Sequence, residues 1–174
     1  MEKKELELYI HIPFCVRKCN YCDFLSFPAD EDTQRQYVKA LCKEIFYYGA
    51  HCRDYVVSTV YIGGGTPSWL WESDMAAILD AIQKSFSLLP EAEVSIECNP
   101  GTVTAQKFAV YRQSGINRIS LGLQSAQNVE LKMLGRIHTW EQFLKTYELA
   151  RSGGFSNINA VSYTHLRAHE TTLH

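Results

Sequence analysis

No stretch of this 174-residue chain approaches the ~20 consecutive apolar residues of a membrane span. The opening MEKKELELYIHIPF also lacks a secretory leader's run of about seven apolar residues behind its lysines. A cytoplasmic protein without a membrane span is the expectation. Charge of one sign is equally scarce: 17 Lys and Arg oppose 19 Asp and Glu for a net −2. With both signs mixed along the chain there is no basic field to attract a nucleic-acid backbone, and no nucleic-acid partner is expected. Six cysteines would allow a disulfide framework, but Cys15, Cys19 and Cys22 crowd one short stretch while Cys42, Cys52 and Cys98 lie singly in apolar surroundings. That distribution suits a reducing compartment and one metal-type cluster. What remains is 46% hydrophobic and 21% charged residues, enough for one domain with a real core.

The pattern alternates strand with helix. LELYIHIPF reads as a strand ending at Pro13, and DEDTQRQYVKALCKEIFYYG as a helix with Tyr37, Val38, Leu41, Ile45 and Phe46 on one face. VVSTVYIGGG, a β-branched run stopped by glycines, precedes a helix carrying Met75, Ile78, Leu79, Ile82 and Phe86 at helical spacing. AEVSIECNPG and the weakly periodic TVTAQKFAVYRQSG repeat the unit. INRISLGLQS is the fourth strand, and Thr139 with Gln142 forms a candidate capping box before its last helix. FSNINAV begins a fifth strand. Units of roughly thirty to forty residues imply parallel pairing through right-handed crossovers, because a helix is the usual way back to the same sheet edge. The class is α/β. Each strand end carries an unusual segment: the cysteines, GGGTP, ECNPG and GLQS. Such ends share one face in parallel α/β folds, which is where sites are built.

HIPFCVRKCNYCDF sets three thiols at the spacing C-x-x-x-C-x-x-C and offers no fourth. Thiolates so spaced on one loop can wrap an iron–sulfur cluster, and three ligands leave one iron open for a small molecule. A zinc site completed by a remote His or Cys is a rival, although zinc modules usually pair two knuckles and no second C-x-x-C exists. A thioredoxin-like pair at Cys19 and Cys22 would leave Cys15 unexplained. Three buried thiols would fit poorly with Arg17, Lys18, Asn20 and Asp23 on the same loop.

CVRKCNYC followed by GGGTP resembles the radical S-adenosylmethionine (SAM) enzymes. The set YIHIPFC, YCDF, YIGGGTPS, IECNPG and SLGLQS resembles, within them, the oxygen-independent coproporphyrinogen III oxidase-like group and its heme chaperone HemW branch. The true oxidases carry another cysteine two residues after the third, where this chain has Phe24, and that favours the chaperone branch. The resemblance implies a partial parallel (β/α) barrel that ends after about the fifth strand, with residues 1–160 as an incomplete radical SAM core. It also implies a [4Fe–4S] cluster on Cys15, Cys19 and Cys22, with SAM chelating the remaining iron and being cleaved reductively there. Heme or a porphyrin is the further implied ligand, with a heme-accepting protein and an electron donor as partners.

The same resemblance assigns roles to single positions. Tyr9 and Tyr21 match SAM-contacting aromatic positions. Gly64, Gly65 and Thr66 would meet the methionine end of SAM through backbone amides and the Thr66 hydroxyl, because glycines let backbone approach a ligand. Glu97 would accept from the ribose hydroxyls, and Gln124 and Arg136 match polar positions near SAM. For Tyr21 the competing reading is a loop residue covering the core, and for Arg136 a solvated charge near a helix start. Asn99 and Ser125 fall on the same polar face without an assigned role. Cys42, Cys52 and Cys98 read as core thiols, and His11 could tune the cluster or merely pack. After NIN the group would continue as D-L-I-x-G-x-P-G, with an aspartate toward SAM; this chain instead reads AVSYTHLRAHETTLH. Residues 161–174 are therefore expected to be a non-native or disordered tail.

Overall fold

A computed structural model describes residues 4–163. Five strands, β1 (Lys4–Ile12), β2 (Tyr55–Gly64), β3 (Leu88–Cys98), β4 (Arg118–Gln124) and β5 (Asn157–Ser162), form one sheet in sequence order. Every neighbouring pair is parallel. Between them run α1 (Glu31–His51), α2 (Glu72–Ser85), α3 (Ala105–Gln113), and the pair α4 (Asn128–Met133) and α5 (Trp140–Ser152). A sheet that adds each new strand beside the last, through helical crossovers, is how a (β/α) barrel grows.

Strand alternation decides which face is which. Ile10, Ile12, Val60, Ile62, Val94, Ile96, Ile119 and Leu121 are buried in the core with Val38, Ile45, Met75, Ile78, Ile82, Phe108, Tyr111 and Phe143 from the helices and Phe155 from the turn before β5. The intervening residues, Tyr9, Tyr61, Ser95, Glu97, Arg118 and Ser120, point to the other face and are mostly polar. Parallel strands covered by helices on both sides read as continuous apolar runs. Here only one face is covered, so the strands keep a period of two.

Local signals set the helix boundaries. Asp30 Oδ1 accepts from Thr33 N at 2.8 Å to start α1, and Thr104 accepts from Lys107 N to start α3. At α5 both halves of the capping box form between Thr139 and Gln142. Phe46 departs from the expected apolar face of α1, since it is 49% exposed. The weak periodicity of α3 has a physical cause. Lys107 is buried beside Phe108 and Tyr111 because its Nζ donates to the carbonyls of Ser68 at 2.8 Å and Thr102 at 3.1 Å.

The strand β5 runs past the boundary expected at residue 160. Val161 pairs in register with Gly122 and Ser162 with Gln124, and Tyr163 N donates to Gln124 O at 2.9 Å. Backbone pairing with β4 holds these residues whatever their side chains are. The rest of the expected tail, residues 164–174, lies outside the described residues. Among the described residues no helix is long and apolar enough to cross a membrane.

Candidate cofactor site

The C-terminal ends of the strands surround a cavity of about 170 Å³. Cys15, Cys19 and Cys22 line it from the loop after β1, Gly64, Gly65 and Thr66 from the end of β2, and Glu97 from the end of β3. Gln124 closes β4, and Tyr21 and Arg136 also belong to the wall. Tyr9 is the exception among the expected residues. It stands 59% exposed, stacks on Tyr61, and directs its hydroxyl to His11 Nδ1 at 2.9 Å, so it is not part of the cavity wall.

The cysteine loop is held from three directions. His11 Nε2 donates to Leu25 O at 2.9 Å, which gives His11 a role in tying β1 to the loop. Cys15 N donates to Phe27 O and Phe27 N to Pro13 O, closing the loop on itself. Arg17 Nη2 donates to Gly135 O at 2.8 Å and Asn20 Nδ2 to Met133 O at 2.9 Å. These two side chains satisfy carbonyls at the C-terminal end of α4, where donors and positive charge are favourable. The loop is therefore ordered by a segment far along the chain. Only Cys15 is buried; Cys19 and Cys22 are half-exposed, contrary to what three core thiols would show.

A chain of polar contacts links two of the thiols. Asn99 Nδ2 donates to Thr66 Oγ1 at 2.9 Å, which leaves the buried Thr66 hydroxyl its own proton to give to Cys15 Sγ, 3.4 Å away. Asn99 Oδ1 accepts from Arg136 Nη2 at 2.6 Å. Arg136 Nη1 in turn faces Cys19 Sγ at 3.7 Å and Tyr21 Oη at 3.5 Å. Gly122 makes room for this arrangement, because a Cβ there would sit 2.7 Å from Asn99 Oδ1 and 3.0 Å from Arg136 Nη2. Arg136 is thus no solvated helix-start charge. Burial, which outweighs the favourable charge of Arg136, pushes the Tyr21 phenol above its ordinary value.

The glycine run works differently from the sequence expectation. Gly64 N donates to Glu97 Oε2 at 3.1 Å, Gly65 N to Ile12 O at 2.8 Å and Thr66 N to Phe14 O at 2.7 Å. Those amides are engaged inside the protein, and the glycines serve to press β2 against β1 and the cysteine loop. What faces the cavity is the Thr66 side chain and bare backbone. Glu97 also accepts from Tyr61 Oη at 2.7 Å. Burial, reinforced by that carboxylate, lifts the Tyr61 phenol to about 12. A carboxylate has about four lone-pair positions, so two remain on Glu97 for a ligand.

Gln124 closes β4 with φ 58°, a left-handed backbone unusual for a residue with a side chain. It is 5% exposed and its Oε1 has no hydrogen-bond partner among the described residues. An orphaned buried acceptor is costly, and at a cavity wall it suits a bound donor. Asn99, Arg17 and Gly122 also line the cavity, although the sequence assigns them no role. Strand parity was the available signal for Gly122, two residues from Gln124 on β4; Arg17 and Asn99 had none beyond their position inside the CVRKCNYC and IECNPG motifs. Cys98 is buried, and burial pushes its thiol up to about 12, as expected of an inert core thiol. Cys42 is half-buried with its Sγ 3.8 Å from Ala77 O, and Cys52 caps the end of α1.

The described His, Cys, Asp and Glu side chains form no group of three or more that could hold a single metal ion. Three thiols spread around one cavity, each free to take a different corner, instead fit a cluster that brings its own sulfides. The fold and this donor set have a counterpart: the model of the radical SAM superfamily matches residues 9–169, and the chain belongs to that superfamily. Membership implies a [4Fe–4S] cluster and SAM as cofactors. More narrowly, the chain is 41% identical over 155 residues to the heme chaperone HemW of Escherichia coli K12, covering 88% of this chain and 41% of the relative. It is 34% identical over 154 residues to HemW of Bacillus subtilis 168, covering 87% and 40%. The chain therefore spans about two fifths of the length of these relatives. Coproporphyrinogen III oxidase (HemN) from Escherichia coli, described as a radical SAM enzyme, superposes with a TM-score of 0.85 at 28% identity over 93% of this chain and 38% of its own. The fold alone is shared with anSMEcpe, solved with AdoMet and a Cp18Cys peptide, at a TM-score of 0.60 and 14% identity over 91% and 42%.

Proposed function

We propose that this chain is the cofactor-binding part of a HemW-like radical SAM protein that carries heme to heme proteins. Cys15, Cys19 and Cys22 hold the [4Fe–4S] cluster, and Glu97, Gln124, Arg136, Tyr21 and Thr66 hold SAM beside it. The observation that carries this reading is the convergence of three thiols, an orphaned acceptor on Gln124 and the Thr66–Asn99–Arg136 contacts on one cavity. When bound, the cluster supplies an open iron for SAM and an electron for cleaving its carbon–sulfur bond; the protein positions both. Thr66 and Arg136 place donors against Cys15 and Cys19 sulfur, where a thiolate ligand carries negative charge.

The second reading is oxygen-independent coproporphyrinogen III oxidation, favoured by the likeness to HemN. Phe24 argues against it: the residue stands where the oxidases have a further cysteine, and it lines the cavity with 62% of its surface exposed. Anaerobic reconstitution with iron and sulfide, followed by electron paramagnetic resonance of the reduced protein, tests the shared part. A cubane signal that SAM shifts is expected; zinc without iron, or a signal indifferent to SAM, refutes it. Heme titration followed by absorbance, against a porphyrinogen turnover assay, separates the branches. Heme binding without turnover is the expected outcome, and turnover would replace the chaperone reading with the oxidase.

A further inference from the structure

His138 lies between α4 and α5, two residues beyond Arg136, and only 3% of it is exposed. The backbone bends at Ile137, which is 52% exposed, while Arg136 is half-buried and His138 turns fully inward. Arg136 Nε lies 3.3 Å from His138 Nδ1, and His138 Nε2 lies 3.4 Å from Leu123 O. A carbonyl can only accept and a guanidinium can only donate. One neutral tautomer satisfies both contacts, with the proton on Nε2 and the lone pair on Nδ1. Leu123 belongs to β4, next to Gln124, so the imidazole ties Arg136 to the strand that forms the cavity wall.

We infer that His138 is the positioning residue for Arg136, accepting from its Nε so that the two terminal nitrogens reach Cys19, Tyr21 and Asn99. This rests on the reading of the cavity as the cluster and SAM site. Without the imidazole acceptor, an arginine side chain with several rotatable bonds has only the terminal contacts to orient it. Two of those, to Cys19 and Tyr21, involve groups that a cofactor would also engage. Among the described residues, Nε is the one donor of Arg136 committed away from the cavity, and His138 receives it. Burial, and then the neighbouring guanidinium charge, hold the His138 imidazole down at about 4, so the lone pair is available throughout the neutral range. A histidine present only to fill space would need neither contact.

Two substitutions separate aiming from packing. His138→Asn puts an amide oxygen near the place of Nδ1 and keeps the acceptor; His138→Leu keeps apolar bulk and removes it. In the cofactor-free full chain, nuclear magnetic resonance should show a slowly exchanging Arg136 Nε–H. The signal should persist in His138→Asn and disappear in His138→Leu. In reconstituted protein of equal iron content, His138→Leu should weaken SAM binding about tenfold, read from the SAM-induced spectral shift, while His138→Asn stays within about threefold. An unprotected Nε–H in the unmodified chain overturns the inference even if His138→Leu does not fold. Equal loss of SAM binding in both variants also overturns it. If SAM has no effect on any form but the Nε–H pattern holds, the cofactor reading falls and the positioning of Arg136 by His138 stands.

Discussion

Gly65→Ala is the sharpest test of how the glycine run serves the cysteine loop. A Cβ at this position would sit 2.6 Å from Phe14 O, 3.0 Å from Ile12 O and 3.0 Å from Phe14 C. All three atoms are backbone, so no rotamer can absorb the clash, and the segment from Ile12 to Cys15 must move. The same segment accepts hydrogen bonds from Gly65 N at 2.8 Å and Thr66 N at 2.7 Å, which the movement would lengthen. Overpacking of this kind costs about 1–3 kcal/mol, and a weakened backbone bond adds about 1 kcal/mol. A fall in Tm of roughly 5–10 °C follows for a domain of this size. Because Cys15 moves with Phe14, iron uptake on reconstitution should drop as well. Gly101→Ala provides the control: its φ is +82° with nothing within 4 Å of the added Cβ. Left-handed strain of about 1–2 kcal/mol should lower its Tm while leaving iron uptake unchanged. Differential scanning calorimetry and iron analysis on the two variants decide the matter. Parental Tm and iron content in Gly65→Ala, or equal iron loss in Gly101→Ala, would refute the reasoning.

His138 links stability to pH. Its folded value of about 4 lies below the ordinary ~6.5 of an unfolded histidine, so between these limits the unfolded chain binds a proton that the folded chain does not. The contribution is present above pH ~6.5 and is lost as pH falls to about 4, to a total of about 3 kcal/mol at most. Urea unfolding from pH 7 to 4 should show a steeper loss in the parent than in His138→Asn, and equal slopes would contradict it. Glu97→Gln retains an acceptor for Tyr61 but removes the charge facing the cavity; SAM titration of the reconstituted protein should show roughly tenfold weaker binding, whereas unchanged affinity would remove Glu97 from the SAM site. Thr139→Ala deletes the capping box of α5 and should cost about 1 kcal/mol, measured by urea unfolding. A change below a few tenths would mean that tertiary packing alone sets that helix start.

The strand–helix order was legible because period-two alternation and helical spacing are local, and most elements here obey their own pattern. The capping box at Thr139 and the cysteine spacing were readable for the same reason. Lys107 shows where such reading fails: a lysine inside α3 looks like a break in amphipathicity until the carbonyls of Ser68 and Thr102 are seen to receive it. Tyr9 and the glycine amides show another limit. Their place within the motifs was plain, but a side chain's direction and an amide's partner depend on the neighbouring strand. His138 carried no sequence signal, since a histidine between two helices is compatible with many environments.

By itself, then, the sequence determined the α/β class, the parallel order and the three thiols on one loop, all written in spacings of a few residues. Only the tertiary structure decided which donors meet those thiols and what holds the loop. Several of those contacts join residues more than a hundred positions apart, as with Arg17 and Gly135 or Arg136 and Cys19. Nothing in local spacing can encode such a meeting; the sheet creates it by bringing the ends of its strands to one face.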